Sequence, residues 1–200
     1  MKLKPGHTID ELTLPSIDDS QFDTKTLNKK RALVTFYRFA SCPFCNLRIN
    51  EIVKRYSELG SEFEMVAIFD SPLDNLKNQM KRHGAPFGIL ADENYHYFNK
   101  FSVEKSFLKF IKGTIIRFHQ LILANFKGYI PFTFKGSVST VPVDILIEKN
   151  GTISKVYYGK DTSDHLPFEK IKSFSNYEWK FNIQPLMTLI TLEQKPNSKS

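Results

Sequence analysis

The chain has 200 residues, 41% of them hydrophobic and 24% charged, and its 28 Lys and Arg against 21 Asp and Glu give a net charge of +7. This is the make-up of a soluble globular protein of one domain with elaborations; eighteen Phe and eight Tyr supply a core without staples, and two Cys exclude a secreted disulfide scaffold. Lysines are spread along the chain with no basic block or nucleic-acid motif, so the charge reads as a solvated surface and nucleic acid is not an expected partner.

Residues 1–30 are polar and turn-rich. Met1 to Asp10 has no apolar run of the signal-peptide kind, and no stretch approaches the ~20 apolar residues of a membrane span. A reducing cytoplasm is the expected compartment. Leu12 to Leu14 reads as a short edge strand stopped by Pro15. Asp18 to Ser20 is a turn, and Asp23 or Thr24 caps a brief helical turn ending at Leu27. Ala32 to Tyr37 is short, apolar and rich in β-branched and aromatic residues, which predicts a buried central strand.

After Ser41-Cys42-Pro43-Phe44-Cys45, the residues Leu47, Ile49, Ile52, Val53, Tyr56 and Leu59 recur near a spacing of 3.6, and Gly60 ends a helix. Phe63 to Phe69 is a second buried strand. Ser71 as cap and Pro72 at the first position open a helix that runs past Met80 to about His83, where Gly84 stops it. Phe87 to Ala91 is an edge strand, and Asn94 to Phe101 a helical turn. The alternation predicts parallel strands joined by right-handed crossovers.

Residues 102–137 interrupt the alternation. Phe107, Phe110, Ile111, Ile115, Phe118, Ile122 and Phe126 form an apolar stripe among Lys105, Lys109, Lys112, Arg117 and Lys127. One or two amphipathic helices are expected, with a break at Gly113 and an end at Gly128. Apolar helical stripes mostly face cores, so packing on the domain or on a partner protein is expected over a membrane surface. Pro142 to Tyr158 is a hairpin turning at Asn150-Gly151. Asp164 caps a last helix from His165 to about Phe174. Residues 177–192 hold a second aromatic and aliphatic patch, and 193–200 are expected to be disordered.

The only two cysteines lie three apart, between the buried strand and a helix, which is the layout of a thiol–disulfide redox site. Helix N-termini favour thiolates. Cys42 falls at the cap, Pro43 needs no donor there, and Cys45 lies one turn in. On these residues alone the expected division of labour is an exposed attacker at Cys42 and a more buried resolver at Cys45. Arg38, at the end of the strand, can hold a thiolate or orient a peroxide oxygen. The five histidines have no ligand spacing to the pair, so no metal is expected. No phosphate loop, dinucleotide fingerprint or Gly-x-Ser-x-Gly occurs. No cofactor is expected, and electrons must come from an external thiol reductant of thioredoxin or glutathione type.

The order of strand, Cys-x-x-Cys helix, strand, helix, hairpin and final helix resembles the thioredoxin fold: an α/β domain with a central mixed sheet flanked by helices, here with an amphipathic helical insertion. Phe36 to Arg48, Ser102 to Ser106, Val141 to Ile147 and Tyr158 to Phe168 are similar to the peroxiredoxin-like branch of the AhpC/TSA superfamily. The resemblance implies one domain over 1–176, with an insertion over about 102–137, and an extension over 177–200. Typical peroxiredoxins carry Pro-x-x-x-Thr-x-x-Cys, which places their reactive Cys on Cys45, their Thr on Cys42 and their Pro on Arg38. Thioredoxins attack with the first Cys, here Cys42, but their buried acid is replaced by Thr35. The choice of attacking sulfur therefore stays open at this point.

Pro142 resembles the cis-proline that faces the cysteines in thioredoxin folds, with Val141 before it free to pair with a bound substrate. The implied activity is a thiol-dependent antioxidant oxidoreductase that cycles Cys42 and Cys45 to reduce peroxides or protein disulfides. A homodimer is compatible with this, and membrane contact is not expected. A different class of function would be a redox-regulated or non-enzymatic binding module that uses the basic insertion as a partner surface.

Overall fold

The computed structural model describes residues 2–9, 11–27, 29–129 and 134–176. The extension expected over 177–200 lies outside the described residues. Strand β1 (Thr13–Pro15) pairs antiparallel with β2 (Gln21–Asp23), a small separate ribbon of which only the first strand was expected. A 3₁₀ turn, Thr24–Leu27, leads to the long β3 (Arg31–Tyr37). Helix α1 (Pro43–Arg55), β4 (Phe63–Phe69), α2 (Leu73–Met80), β5 (Gly88–Ala91) and α3 (His96–Lys100) follow. Then come α4 (Phe107–Ile116) and α5 (Phe118–Phe126), the hairpin β6 (Val143–Ile147) and β7 (Ile153–Tyr158), and α6 (Phe168–Ser175).

The main sheet has the order β5-β4-β3-β6-β7. Strands β3, β4 and β5 are parallel, while β6 and β7 run antiparallel, so the sheet is mixed as expected. Successive residues of β3 feed opposite layers. Leu33 and Tyr37 pack with Ile49, Ile52, Met65, Leu76 and Ile171 on the face covered by α1, α2 and α6. Ala32, Val34 and Phe36 pack with Leu12, Leu14, Phe98, Phe101 and Ile145 on the other face. Phe36 holds the rings of Phe98 and Phe101 edge-on, at 5.0 and 5.7 Å between centroids. At the hairpin tip Gly151 has φ +80°, a left-handed conformation that glycine adopts without steric cost.

Several local expectations are corrected. Ser71 does not cap α2; its hydroxyl is used elsewhere, and Pro72 takes the cap position. Asp164 does not cap α6, which starts three residues later than expected, after Pro167. Its carboxylate instead accepts from the Tyr157 hydroxyl and the Lys160 N–H, both at 2.8 Å. The insertion breaks at Arg117 and not at Gly113, which lies buried inside α4. Most of its apolar stripe does not face the domain: Phe107, Ile111, Ile115, Phe118, Ile122 and Phe126 are exposed, and Phe110 alone packs inward, beside Arg38.

Candidate active site

The C-terminal ends of the two central parallel strands and the entry to β6 converge at one edge of the sheet. Three residues singled out in the sequence meet here. Cys42 caps α1: its sulfur accepts the Cys45 N–H at 3.3 Å, and Pro43 follows as the first helical residue. Arg38 leaves the end of β3 and returns over the loop. Its Nη2 donates to Cys42 Sγ at 3.0 Å, and Nη1 donates to the Val138 carbonyl at 2.9 Å. Arg38 is only 2% exposed, and both cysteines are buried free thiols, so the exposure expected of Cys42 is corrected: the Arg38 side chain and the first turn of α1 enclose it.

The electrostatics separate the two sulfurs. Burial pushes the Cys42 thiol up, but the Cys45 S–H, the Arg38 guanidinium and the helix amides of Cys45 and Phe44 together outweigh it and bring the group down to about 6. Cys45 is pushed well above the ordinary thiol range, first by burial and then by its hydrogen bond to Cys42 and the charge there. Burial opposes the charge of Arg38, yet the sulfurs of Cys42 and Cys45 hold it cationic. One sulfur is therefore a thiolate at neutral pH, while its neighbour keeps a proton.

The loop is fastened from below. Asn46, fully buried in the first turn of α1, donates to the Ala40 and Cys42 carbonyls, both at 2.9 Å. Its own carbonyl meets Arg82 Nη2 at 2.9 Å and His83 Nε2 at 2.8 Å. The Ser71 hydroxyl accepts the Ala40 N–H at 2.9 Å and donates to the Lys135 carbonyl at 2.7 Å. It thereby ties the cysteine loop to the chain leading into β6.

A second polar cluster was not foreseen. Asp70, at the end of β4, accepts from the Thr140 hydroxyl at 2.9 Å and the Ser137 N–H at 3.1 Å. Thr140 in turn contacts the Tyr95 hydroxyl. Burial is the main reason the Asp70 carboxyl is raised, to about 7; its two hydrogen bonds pull the other way, and the Cys42 charge adds to the rise. Its Oδ1 has no partner among the described residues. The one signal in the sequence was its position, an acid directly after a parallel strand, where open α/β sheets place their sites.

The role expected for Val141 and Pro142 needs correction. The bond before Pro142 is trans, since no cis peptide occurs among the described residues. Nor is the Val141 N–H free for a substrate strand: it donates to the Glu104 carbonyl at 2.8 Å, where the insertion begins. His165 contacts buried Asp144 at 3.1 Å and packs on Tyr37 at 4.8 Å between centroids.

Beside the guanidinium lies a pocket of about 130 Å³, lined by Arg38, Pro43, Phe44, Phe110, Phe134 and Val138 among others. Its walls are almost wholly apolar, and α4 and α5 supply one side through Phe110, Thr114 and Leu121. A larger cleft, about 520 Å³, opens between α1, α5 and the loop before α6; neither cysteine lines either cavity, and Arg38 is the link between the smaller one and Cys42.

A mixed five-stranded sheet with a thiol pair at the mouth of its central strand defines a thioredoxin-fold redox protein. The sequence matches the AhpC/TSA family over residues 5–156, and the chain belongs to that family. Among solved structures it is similar to peroxidoxin BcpB from Mycobacterium tuberculosis, with 14% identity, 86% of this chain and 96% of that one covered, and a TM-score of 0.63. A peroxiredoxin-like protein from Aquifex aeolicus gives 10% identity, 86% coverage of each chain and a TM-score of 0.62. A thioredoxin-family thiol:disulfide interchange protein from Chlorobium tepidum gives 22% identity, 88% and 99% coverage and a TM-score of 0.51. No curated protein matches the sequence.

Proposed function

We propose that this protein is a thiol peroxidase in which Cys42 attacks and Cys45 resolves. The observation that carries the reading is the Arg38–Cys42 contact at the N-terminus of α1, with the proton kept on Cys45. The Cys42 thiolate attacks the distal oxygen of a hydroperoxide; the O–O bond breaks, an alkoxide or hydroxide leaves and takes a proton, and Cys42 becomes a sulfenic acid. Cys45 then attacks that sulfur, water leaves with the Cys45 proton, and a disulfide forms. An external dithiol reduces it by exchange and is itself oxidised.

Two features favour a small peroxide over a protein disulfide. The Val141 N–H is already paired, so an extended substrate strand has no donor there. The pocket next to Arg38 is small and apolar, suited to a small organic hydroperoxide. Peroxide-dependent oxidation of a thioredoxin-type reductant tests the reading, measured for wild type, Cys42→Ser and Cys45→Ser. Wild type should turn over, Cys42→Ser should be inactive, and Cys45→Ser should accumulate a sulfenic acid on Cys42 by mass spectrometry. First oxidation at Cys45, or turnover with protein disulfides and no peroxide, would reject it.

A further inference from the structure

The α4–α5 hairpin is inside out relative to an ordinary surface helix pair. Its small residues face the protein: Gly113 and Ala124 are buried, and a Cβ on Gly113 would lie 3.1 Å from Asp161 Oδ1. Most of its large apolar residues face away, while Phe110 and Leu121 turn inward to the pocket beside Arg38. Among the described residues, every strongly exposed large apolar side chain lies between Phe107 and Phe134, with Leu108 80% and Phe126 87% accessible. Isolated exposed apolar residues are ordinary, but a contiguous set confined to one hairpin marks a contact surface.

The charge of the segment indicates what it contacts. From Lys105 to Val143 there is no Asp or Glu, while Lys105, Lys109, Lys112, Arg117, Lys127 and Lys135 contribute six of the seven net positive charges of the chain. Lys109 reaches Glu104 at 2.7 Å, and Arg117 reaches Asp161 and Asp164 at 3.6 Å. Lys112, Lys127 and Lys135 are exposed, each in the same 105–135 segment as the exposed apolar side chains. A second copy docked on this face would bring two cationic segments together. Asn176 lies beside Gly60 and the Glu58 carbonyl, at the end of the sheet opposite the cysteines.

We propose that the α4–α5 hairpin, with Phe134, docks this protein on the surface of an anionic lipid bilayer. The apolar side chains enter the boundary between headgroups and acyl chains, and the lysines lie against the lipid phosphates. No described helix is long and apolar enough to cross a membrane, so the hairpin lies in the interface plane. Phe134 belongs both to the docked face and to the lining of the pocket beside Arg38, and it packs on Phe39 at 5.5 Å between centroids.

Cosedimentation of the full chain with vesicles tests this, using phosphatidylglycerol mixed with phosphatidylcholine against phosphatidylcholine alone. Binding should require the anionic lipid and weaken about tenfold when salt rises from about 0.05 to about 0.5 M. The pair Leu108→Gln/Phe126→Gln should weaken it by about tenfold or more, as should Lys112→Glu/Lys127→Glu. All four positions are exposed, and circular dichroism melting should match wild type. The proposal is overturned if neither vesicle binds, if both bind equally, or if neither variant weakens binding. A dimer seen by sedimentation velocity and broken by Leu108→Gln/Phe126→Gln, without vesicle binding, would assign the surface to self-association instead.

Discussion

Arg38 is a buried cation whose charge is used inside the protein, against one sulfur and one carbonyl. Replacing it with Met keeps much of the volume and removes the charge. The rate of Cys42 alkylation by iodoacetamide should titrate with a midpoint near 6 in wild type, and Arg38→Met should move that midpoint up by at least about one pH unit. A midpoint that stays put would assign the activation to the Cys45 S–H and the helix amides without Arg38. Asp70 gives a prediction of opposite sign. Its carboxyl is raised to about 7 by burial, so wild type loses stability as pH rises from the unfolded carboxylate range through 7, while the unfolded state alone ionises. Asp70→Asn keeps an acceptor for Thr140 and Ser137 and removes this loss. Its melting temperature relative to wild type should therefore climb between about pH 4 and pH 7 and level off above, by an amount on the order of 4 kcal/mol in stability. Cys42, Cys45 and Arg38 were legible because eight consecutive residues carry all three. Asp70, Ser137 and Thr140 were not, because nearly seventy residues separate groups that only the strand order brings together.

Elements were easiest to read where local signals agree with burial. The apolar run of β3, the cysteine helix and the Asn150-Gly151 hairpin all carry such signals, and all form. Ser71-Pro72 misled because a Ser before Pro resembles a helix start; the hydroxyl went instead to Ala40 and Lys135, and the helix began at Leu73. For α4 and α5 the period showed an apolar face correctly but could not show what that face meets. The small residues Gly113 and Ala124 were the overlooked sign of which side packs inward. The segment entering β6 has its own constraint at Gly136, with φ +130°, where a Cβ would overlap the Asp70 carbonyl oxygen and lie 2.8 Å from the Phe39 Cβ. Gly136→Ala should lower stability in urea by about 2–4 kcal/mol and also slow peroxide turnover, because the displaced segment carries the Val138 carbonyl that holds Arg38. Unchanged stability would mean that this loop does not constrain the site.

Over the whole molecule, the sheet order sets β3 in the centre, with β4 to one side and β6 to the other. The cysteine loop is thus gripped from both flanks, by Ser71 after β4 and by Val138 before β6. The family resemblance supplied this frame, but it also carried over a cis Pro142 and an open Val141 amide. In this chain the insertion begins next to that position and takes the amide through Glu104, so the same fold presents a closed edge.

The unequal sulfurs have one further consequence, for the reduction potential of the pair. A thiol lowered from the ordinary ~8.5 to about 6 favours the reduced form at pH 7 by about 1.4 kcal/mol, which corresponds to about 30 mV for a two-electron couple. The Cys42–Cys45 couple should be that much more oxidising than a pair of ordinary thiols in the same fold. Equilibration against a glutathione buffer should show Arg38→Met more reducing by up to about 30 mV, with the gap narrowing as pH falls toward 6.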